Sequence, residues 1–532
     1  MLPRQCGIVF LTIALYLMIV AVLLVFSLSG TRGTLVYALD DPYIHMTIAG
    51  NLANHGVWGI NKEGYSACSS SSLYTLILAG AFYLLGIQEV IPLVINIIAG
   101  AAALLITGGI LRKYYDNSKL IFIFLLSIMF ISPLFAVTFV GMEHTAHLAV
   151  SVLFLYFASG IISSEDPGGR KIGPLLVTAP VLMGLRYESV FMVLTVCALL
   201  LARRRFRDAA ITGIAAAVPV VIYGLISFFQ GSNFIPNPVL LKGNTPYFSL
   251  WGAVWWGIQV YNNISSPHII LLFIGALAAY LYLSRERGEF WNQKKVALII
   301  FISAAFMHMV FASTEWFFRY DAYLVAMGLV SIFAGFSSLF GEGAFSRRVI
   351  NGRNRKADLV IAVFILMVTI TPFLYRAASL FMVPRASVNI YQQQYQMGLF
   401  IQRYYSGEAV AVNDAGAVSF LADIETVDLW GLGNERVLRA KKGNYFNTEW
   451  IDRYTRKRNV KVAVLYENWF SGYGGLPAGW KRVARWTIPH EIVCGEPTVT
   501  FFAVDEREED RLREHLGDFS SELPAAVRVK VF

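Results

Sequence analysis

Two aspartates stand side by side at positions 40 and 41, in YALDDPYIHMTIAGNLANHGVWGINKEGY (residues 37–65), where the first long apolar run ends. Acids at a bilayer edge are costly to place and read first as functional groups. Desolvation and a like-charged neighbour both raise a carboxylate's pKa, towards the range where it takes a proton from a hydroxyl as general base. Asp40 and Asp41 are therefore the candidate catalytic pair. A divalent metal is the competing use, with Asp40 and Asp41 as ligands and Glu143, His144 or His147 beside them. The order in GMEHTAHL, E-H-x-x-H, is not the zinc-protease order H-E-x-x-H.

The other conspicuous polar residues beside apolar runs are Glu63, Glu143, His144, Arg186, Glu188, Lys242, Glu315, Arg319 and Asp321. Each alone reads as a helix end in water. Together they form one layer, because the loops that carry them fall on one side of the bilayer. A transporter or lipid flippase would place charges or broken helices near the midplane, whereas the helix centres here are nearly free of charge. No nucleotide pool exists outside a cytoplasmic membrane, so a transferase there needs a donor activated in the membrane, such as a polyprenyl-phosphate sugar. One carboxylate would act as base, cations would hold the leaving phosphate, and an apolar groove would hold the prenyl chain. Asp40 or Asp41 suits the base, and Arg186, Lys242 and Arg319 suit the phosphate clamp. Trp251, Trp255, Trp256 and Tyr261 read as an aromatic belt at the interface, with sugar stacking as the alternative.

The elements that carry these residues are membrane helices. Of the 532 residues, 56% are hydrophobic and 15% charged, with mean hydropathy +0.56; a soluble domain carries about 25% charged residues. The net charge of +9 resides in short Lys/Arg clusters between apolar runs, a positive-inside pattern and not a nucleic-acid surface. Residues 8–29 form a first helix, retained as a signal anchor because SLSGTRG offers no A-x-A site. The loop 30–70 is external, and 71–87 lies at the surface. Spans follow at 90–111, 119–138, 145–162, 172–186, 188–202, 209–229, 267–284, 296–312, 322–340 and 357–377, about eleven in all. The N-terminus is then inside and the C-terminus outside. Residues 385–532 carry more charge and strand-like alternation (EAVAV, VKVAVL, RVARW, TVTFFAV), with helices near 388–405, 433–441 and 449–457, and read as an extracytoplasmic α/β domain after a membrane domain over 1–380. Cys68 and Cys494 both fall outside; two free thiols are the simple expectation and a disulfide the alternative.

LDDPYIHMTIAGNLANHGVWGIN…EGYS resembles the first-loop motif of bacterial GT-C glycosyltransferases, DDAYI, RYARNLA, then EGYS/T, and is most similar to the branch containing the cell-wall arabinofuranosyltransferases. GMEHTAHLAV, GLRYESVF, PNPVLLKG, FFRYDAYLVA and NDAGAVSFLADIETVDLWGLGNE resemble further segments of the family in the same order. The resemblance implies a GT-C bundle of roughly eleven helices with juxtamembrane helices in the first loop and an α/β tail. It implies inverting transfer from a polyprenyl-phosphate sugar to a hydroxyl of a cell-envelope glycan, lipid or protein. It implies Asp40 as the base, with Glu63, Tyr65, Glu143, His144, Arg186, Glu188, Lys242, Arg319 and Tyr320 as the substrate-binding set. Departures occur at Pro42, at ACSSSSLYTL, at Tyr187 and at VLLKG, and His144 and His147 are additional; arabinose is not carried over. A non-catalytic assembly protein on the same scaffold is the second alternative.

Overall fold

The structure, a computed structural model, describes residues 2–164, 171–242, 250–264, 266–285, 289–339 and 374–532, with isolated positions between 359 and 370. The helices before the tail are α1 (Leu2–Gly30), α2 (Asp41–His55), α3 (Ser72–Leu85), α4 (Val90–Leu111), α5 (Ser118–Ile131), α6 (Leu134–Phe139), α7 (His144–Ile162), α8 (Gly173–Leu185), α9 (Val190–Ala202), α10 (Phe206–Phe229), α11 (Asn237–Lys242), α12 (Leu250–Ile264), α13 (Pro267–Arg285), α14 (Gln293–Phe311) and α15 (Ala322–Gly335). Among the described residues, 6 helices are long and apolar enough to cross a membrane: α1, α4, α7, α10, α13 and α14. The shorter apolar helices α5, α8, α9 and α15 occupy other expected spans, and most of 357–377 lies outside the described residues.

One expectation changes in detail. The span at 119–138 is broken between α5 and α6 at Ser132 and Pro133, because proline lacks an N–H and disfavours helix in the residue before it. The first loop contains a helix, α2, as expected. Pro42 in its first turn has its φ preset for helix, and Gly56 closes it at φ 68°, donating its N–H to the carbonyls of Asn51 and Leu52. Residues Pro42–Asn51 of α2 are buried, so this loop is part of the protein interior.

The basic clusters gather at one end of the bundle. Lys294 lies over the ring of Tyr114, Arg203 over Trp291, and Arg203 donates to the Ser164 carbonyl. The layer of acids and cations, and the tail, occupy the other end.

The tail begins with α16 (Ser379–Ile390), a π-helical turn (Tyr391–Tyr395) and α17 (Gln396–Tyr404), which run without a break through the expected boundary at 380–385. Six strands follow: β1 (Ala409–Val412), β2 (Glu425–Asp428), β3 (Val462–Leu465), β4 (Lys481–Thr487), β5 (Thr498–Ala503) and β6 (Arg528–Val531). Their order is β2-β1-β3-β5-β4-β6, with β2, β1 and β3 parallel and the rest antiparallel. Helices α18 (Gly416–Leu421), α19 (Glu435–Lys442), α20 (Thr448–Lys457) and α21 (Glu509–Phe519) complete it. Strands β2 and β6 were not expected from sequence; each is four residues long and carries two charged residues. Cys68 and Cys494 are buried free thiols and form no disulfide.

The first loop clamps the tail at several points. Asn61 exchanges two hydrogen bonds with the backbone of Thr426 in β2, at 3.1 and 2.8 Å. Tyr43 packs on Phe420 with ring centroids 5.7 Å apart. Arg32 donates to the carbonyls of Glu522 and Leu523.

A second anchor holds the turn between α14 and α15. Glu315, Trp316, Phe317 and Phe318 all have positive φ, a conformation that costs an L-residue roughly 1–2 kcal/mol each. Asp321, fully buried just after this turn, accepts hydrogen bonds from Arg376 (3.2 Å) and His268. Arg376 is also fully buried and lies over the Phe318 ring. Breaking a buried ion pair by removing one partner leaves an uncompensated charge, at about 3–5 kcal/mol. Arg376→Ala should therefore lower the unfolding free energy in detergent by about that amount. Asp321→Asn combined with Arg376→Ala should be less damaging than the sum of the two single changes, read from denaturant unfolding as a double-mutant cycle.

Candidate active site

A cavity of about 280 Å³ opens where α2, the α8–α9 turn, the α14–α15 turn and the tail meet. Asp41, His45, Arg186, Glu188, Arg319 and Tyr320 supply its polar wall, and Ile44, Phe191, Phe311 and Leu432 its apolar one. Asp41 and His45 are four residues apart on α2 and so share a helix face. His45 is held by Thr75, Nδ1 to Oγ1 at 2.8 Å.

Arg319 donates from Nη2 to Asp41 Oδ2 at 3.1 Å and to the Tyr320 hydroxyl at 3.1 Å. Its Nη1 meets Met142 Sδ at 3.1 Å, and its buried Nε has no hydrogen-bond partner among the described residues. Arg186 is differently placed. Its Nη1 donates to Glu143 at 2.9 Å, and its Nε and Nη2 form a fork with Glu188. The Tyr320 ring lies between the two guanidinium groups, 4.9 Å from Arg319 and 5.5 Å from Arg186.

The expected site residues separate accordingly. Asp41, Arg186, Glu188, Arg319 and Tyr320 line the cavity. Glu143 and His144 are buried behind Arg186, with His144 Nε2 3.8 Å from Glu143. Glu63 is exposed on the first loop and is not among the residues that line the cavity. Lys242 ends α11, and its side chain lies outside the described residues. Tyr65 lines a second, mostly apolar cavity of about 790 Å³ between α2, α3, α8 and α10, with Trp58, Leu76, Pro180, Pro219 and Tyr223. Tyr187 and Arg186 on the first cavity follow closely on Gly184 of the second, so the α8–α9 turn forms part of both walls.

Asp40 is not in the cavity lining. Its carboxylate is buried against the tail, where Oδ2 accepts the Gly416 N–H at 2.6 Å and Oδ1 the Ala417 N–H at 2.8 Å. These amides follow the carboxyl end of β1. Asp414 lies beside them and accepts from Gln394 on the π-helical turn at 2.8 Å. Burial first, and then the Asp414 charge, hold the Asp40 pKa well above the usual carboxylate range, against the pull of the two amides. Asp40 and Asp41 thus face different partners and do not form a shared ligand pair. Among the described residues, no group of three or more His, Cys, Asp or Glu side chains is arranged to hold a metal ion.

Residues 388–502 match a family described as a domain of unknown function, DUF8728. Comparison with curated proteins found no match. The crystal structure of ArnT from Cupriavidus metallidurans bound to undecaprenyl phosphate covers 92% of this chain and 98% of its own, at TM-score 0.51 and 12% identity. The chain has the GT-C fold. The apo structure of the same ArnT gives TM-score 0.49 at 12% identity, over 92% of this chain and 97% of that one.

Sequence reasoning missed His45, Asp414 and Gly416. The helical spacing from Asp41 was a signal for His45, and the NDAGA segment was a signal for Asp414 and Gly416; nothing local tied that segment to Asp40, since Gly416 lies 376 residues further along the chain.

Two outcomes follow from the Asp40 contact. A Cβ on Gly416 would lie 2.1 Å from the Asp40 carbonyl oxygen and 2.4 Å from its Oδ2. Gly416→Ala should therefore displace Asp40, expose the first loop to limited proteolysis and leave the tail's circular dichroism intact. A group whose folded pKa is raised stabilises most when protonated, and that stability is lost as pH rises through the folded value. The Asp40 contribution should thus fall as pH rises from about 4, the unfolded carboxylate range, read as the difference in thermal midpoint between the wild-type protein and Asp40→Asn. Asp414→Asn removes the repelling charge and should flatten that profile.

Proposed function

We propose that the protein is a glycosyltransferase that takes a sugar from a polyprenyl-phosphate donor and places it on a hydroxyl of a cell-envelope glycan, lipid or protein. The observation that carries this reading is the Asp41–Arg319 pair in a cavity adjoining a large apolar groove. The fold match to ArnT, whose structure holds undecaprenyl phosphate, supports a lipid-phosphate donor. The matches to ArnT carry nothing that favours the arabinofuranosyltransferase branch, and the sugar is left open between hexose and pentose.

In this reading Asp41, not Asp40, is the base. Asp41 lines the cavity, while both oxygens of Asp40 are engaged by backbone amides. The acceptor oxygen attacks the anomeric carbon and its proton passes to Asp41. The bond from that carbon to the phosphate oxygen breaks, and its electron pair leaves with the polyprenyl phosphate. A single displacement inverts the anomeric centre. Arg319 is the leading phosphate holder, because its Nε is buried and free of partners among the described residues. Arg186 is engaged by Glu143 and Glu188 and acts mainly by positioning Tyr320 and the rim. The groove lined by Trp58, Leu76 and Pro219 suits the prenyl chain.

The basic end of the bundle supports an orientation with that end inside, by the positive-inside rule. The cavity and the tail then face outward from a bacterial cytoplasmic membrane, with the N-terminus inside. The domain division is a helical catalytic part up to about residue 380 and an α/β part beyond it.

Purified protein in nanodiscs, given a radiolabelled polyprenyl-phosphate sugar and membrane acceptor, tests this. Asp41→Asn should lower kcat by about 10²–10⁴, the usual weight of a general base, with donor KM little changed. Arg319→Ala should lower kcat/KM for the donor by about 10²–10³, the scale of losing one transition-state donor. Transfer at wild-type rate by a folded Asp41→Asn protein would favour the non-catalytic assembly role.

A further inference from the structure

The tail carries a second recess, remote from Asp41 in the chain and unused by the mechanism above. It is a cleft of about 280 Å³ between α19 and α20, lined by Arg436, Arg439, Arg453 and Lys457 and by Tyr445, Trp450 and Tyr454. No acid lines it. On α20, Trp450, Arg453, Tyr454 and Lys457 recur at i, i+3, i+4 and i+7 and so form one face, while Ile451 and Thr455 on the other face are buried in the tail. On α19, Arg436 and Arg439 face them at i, i+3. The Trp450 and Tyr454 rings are stacked, with centroids 4.7 Å apart and planes at 20°. Asn434 fixes the Tyr454 hydroxyl at 2.9 Å, so this aromatic wall is held in place.

The charges are poorly compensated for so dense a cluster. Arg439 pairs with Glu435 at 3.1 Å, and Asp452 is taken by Arg456 outside the cleft. Glu449 is exposed in the first turn of α20 and does not line the cleft. An anion seated among these exposed cations would be attracted by all of them at once. Guanidinium forks match the planar oxygens of carboxylate and phosphate. Flat aromatic faces bearing a polar tip suit the apolar face of a sugar ring. The recess presents no aliphatic side chain that could enter a bilayer. Its rim reaches the membrane-facing part of the protein, since Arg439 also donates to the Gly231 carbonyl at 2.7 Å, next to Gln230 of the apolar groove.

We infer that this cleft binds an acidic glycan, a saccharide chain bearing carboxylate or phosphate, and holds it beside the transfer site as the acceptor. The acceptor role rests on the glycosyltransferase reading; binding itself does not. The glycan's charges meet Arg436, Arg453 and Lys457, and a sugar ring lies on the Trp450–Tyr454 stack. The cleft then gives the enzyme a preference for anionic over neutral acceptors that Asp41 and Arg319 alone do not supply.

Isothermal titration calorimetry on the full-length protein in an uncharged detergent tests the inference. The probes are oligogalacturonate, a glycerol phosphate–substituted oligosaccharide and a neutral dextran oligomer. Both anionic probes should bind and the neutral one should not, and added salt should weaken binding by screening. Joint replacement R436A/R453A/K457A should weaken binding at least about tenfold, the equivalent of 1.4 kcal/mol, and Trp450→Ala should also weaken it. Should the triple variant fail to fold, Arg453→Gln alone carries the comparison. Equal binding of neutral and anionic probes, or no loss in the variants, overturns the inference. Binding only to phosphatidylglycerol vesicles overturns it in favour of a membrane contact. Asp41→Asn should leave binding unchanged. Absence of anionic-probe binding by a wild-type protein that still transfers sugar to a small hydroxyl acceptor rejects the cleft alone. Binding without any transfer by the wild-type protein rejects the glycosyltransferase reading alone.

Discussion

A buried carboxylate needs partners, and Asp40 finds its partners in a part of the chain almost 400 residues away. The two amides of Gly416 and Ala417 donate to it after the carboxyl end of β1, which is where open α/β sheets offer room for an acidic ligand. Here the membrane part's own first loop fills that room. The contact requires glycine at 416, because any side chain there would overlap Asp40. Asn61 on β2 and Tyr43 on Phe420 extend the same interface. The tail is thereby one wall of the site and contributes Leu432 to the cavity.

The aspartate doublet divides its work because successive residues on a helix point about 100° apart. Asp40 caps the start of α2 towards the tail, and Asp41 opens α2 towards the cavity. What holds Asp40 therefore also sets Asp41. The cations are sorted by the same logic of low dielectric. Arg186 is matched by Glu143 and Glu188; Arg376 pairs with Asp321 but leaves Nε and Nη1 without partners among the described residues, away from the cavity. Arg319 faces Asp41, lines the cavity and keeps an Nε without a partner among the described residues. An incompletely satisfied buried cation is costly to retain, and a site that receives an anion gives it a use. The left-handed turn at 315–318 is the conformational cost of presenting Arg319 and Tyr320, and the Asp321 anchor offsets it.

Much of this was legible along the chain. Long apolar runs and short basic clusters mark a polytopic membrane protein, because the bilayer demands helices of minimum length and charge outside the core. The break at Pro133 is masked in the sequence by the long apolar run around it. Short strands half made of charged residues, such as β2 and β6, escape detection because their ladder partners, not their own residues, make them strands.

The sequence by itself determined the membrane class, the α/β character of the tail and the layer of polar groups that includes Asp41, Arg186 and Arg319, since these follow from hydropathy, alternation and residue type. It could not choose between Asp40 and Asp41, because neighbours in sequence carry the same chemistry until something distant engages one of them. Only the tertiary structure placed Gly416 and Ala417 on Asp40, turned Glu63 to solvent, sent Tyr65 to the apolar groove and left Cys68 and Cys494 apart. Those are outcomes of packing between remote segments, and packing is decided by shape and hydrogen-bond completion across the fold rather than by local pattern.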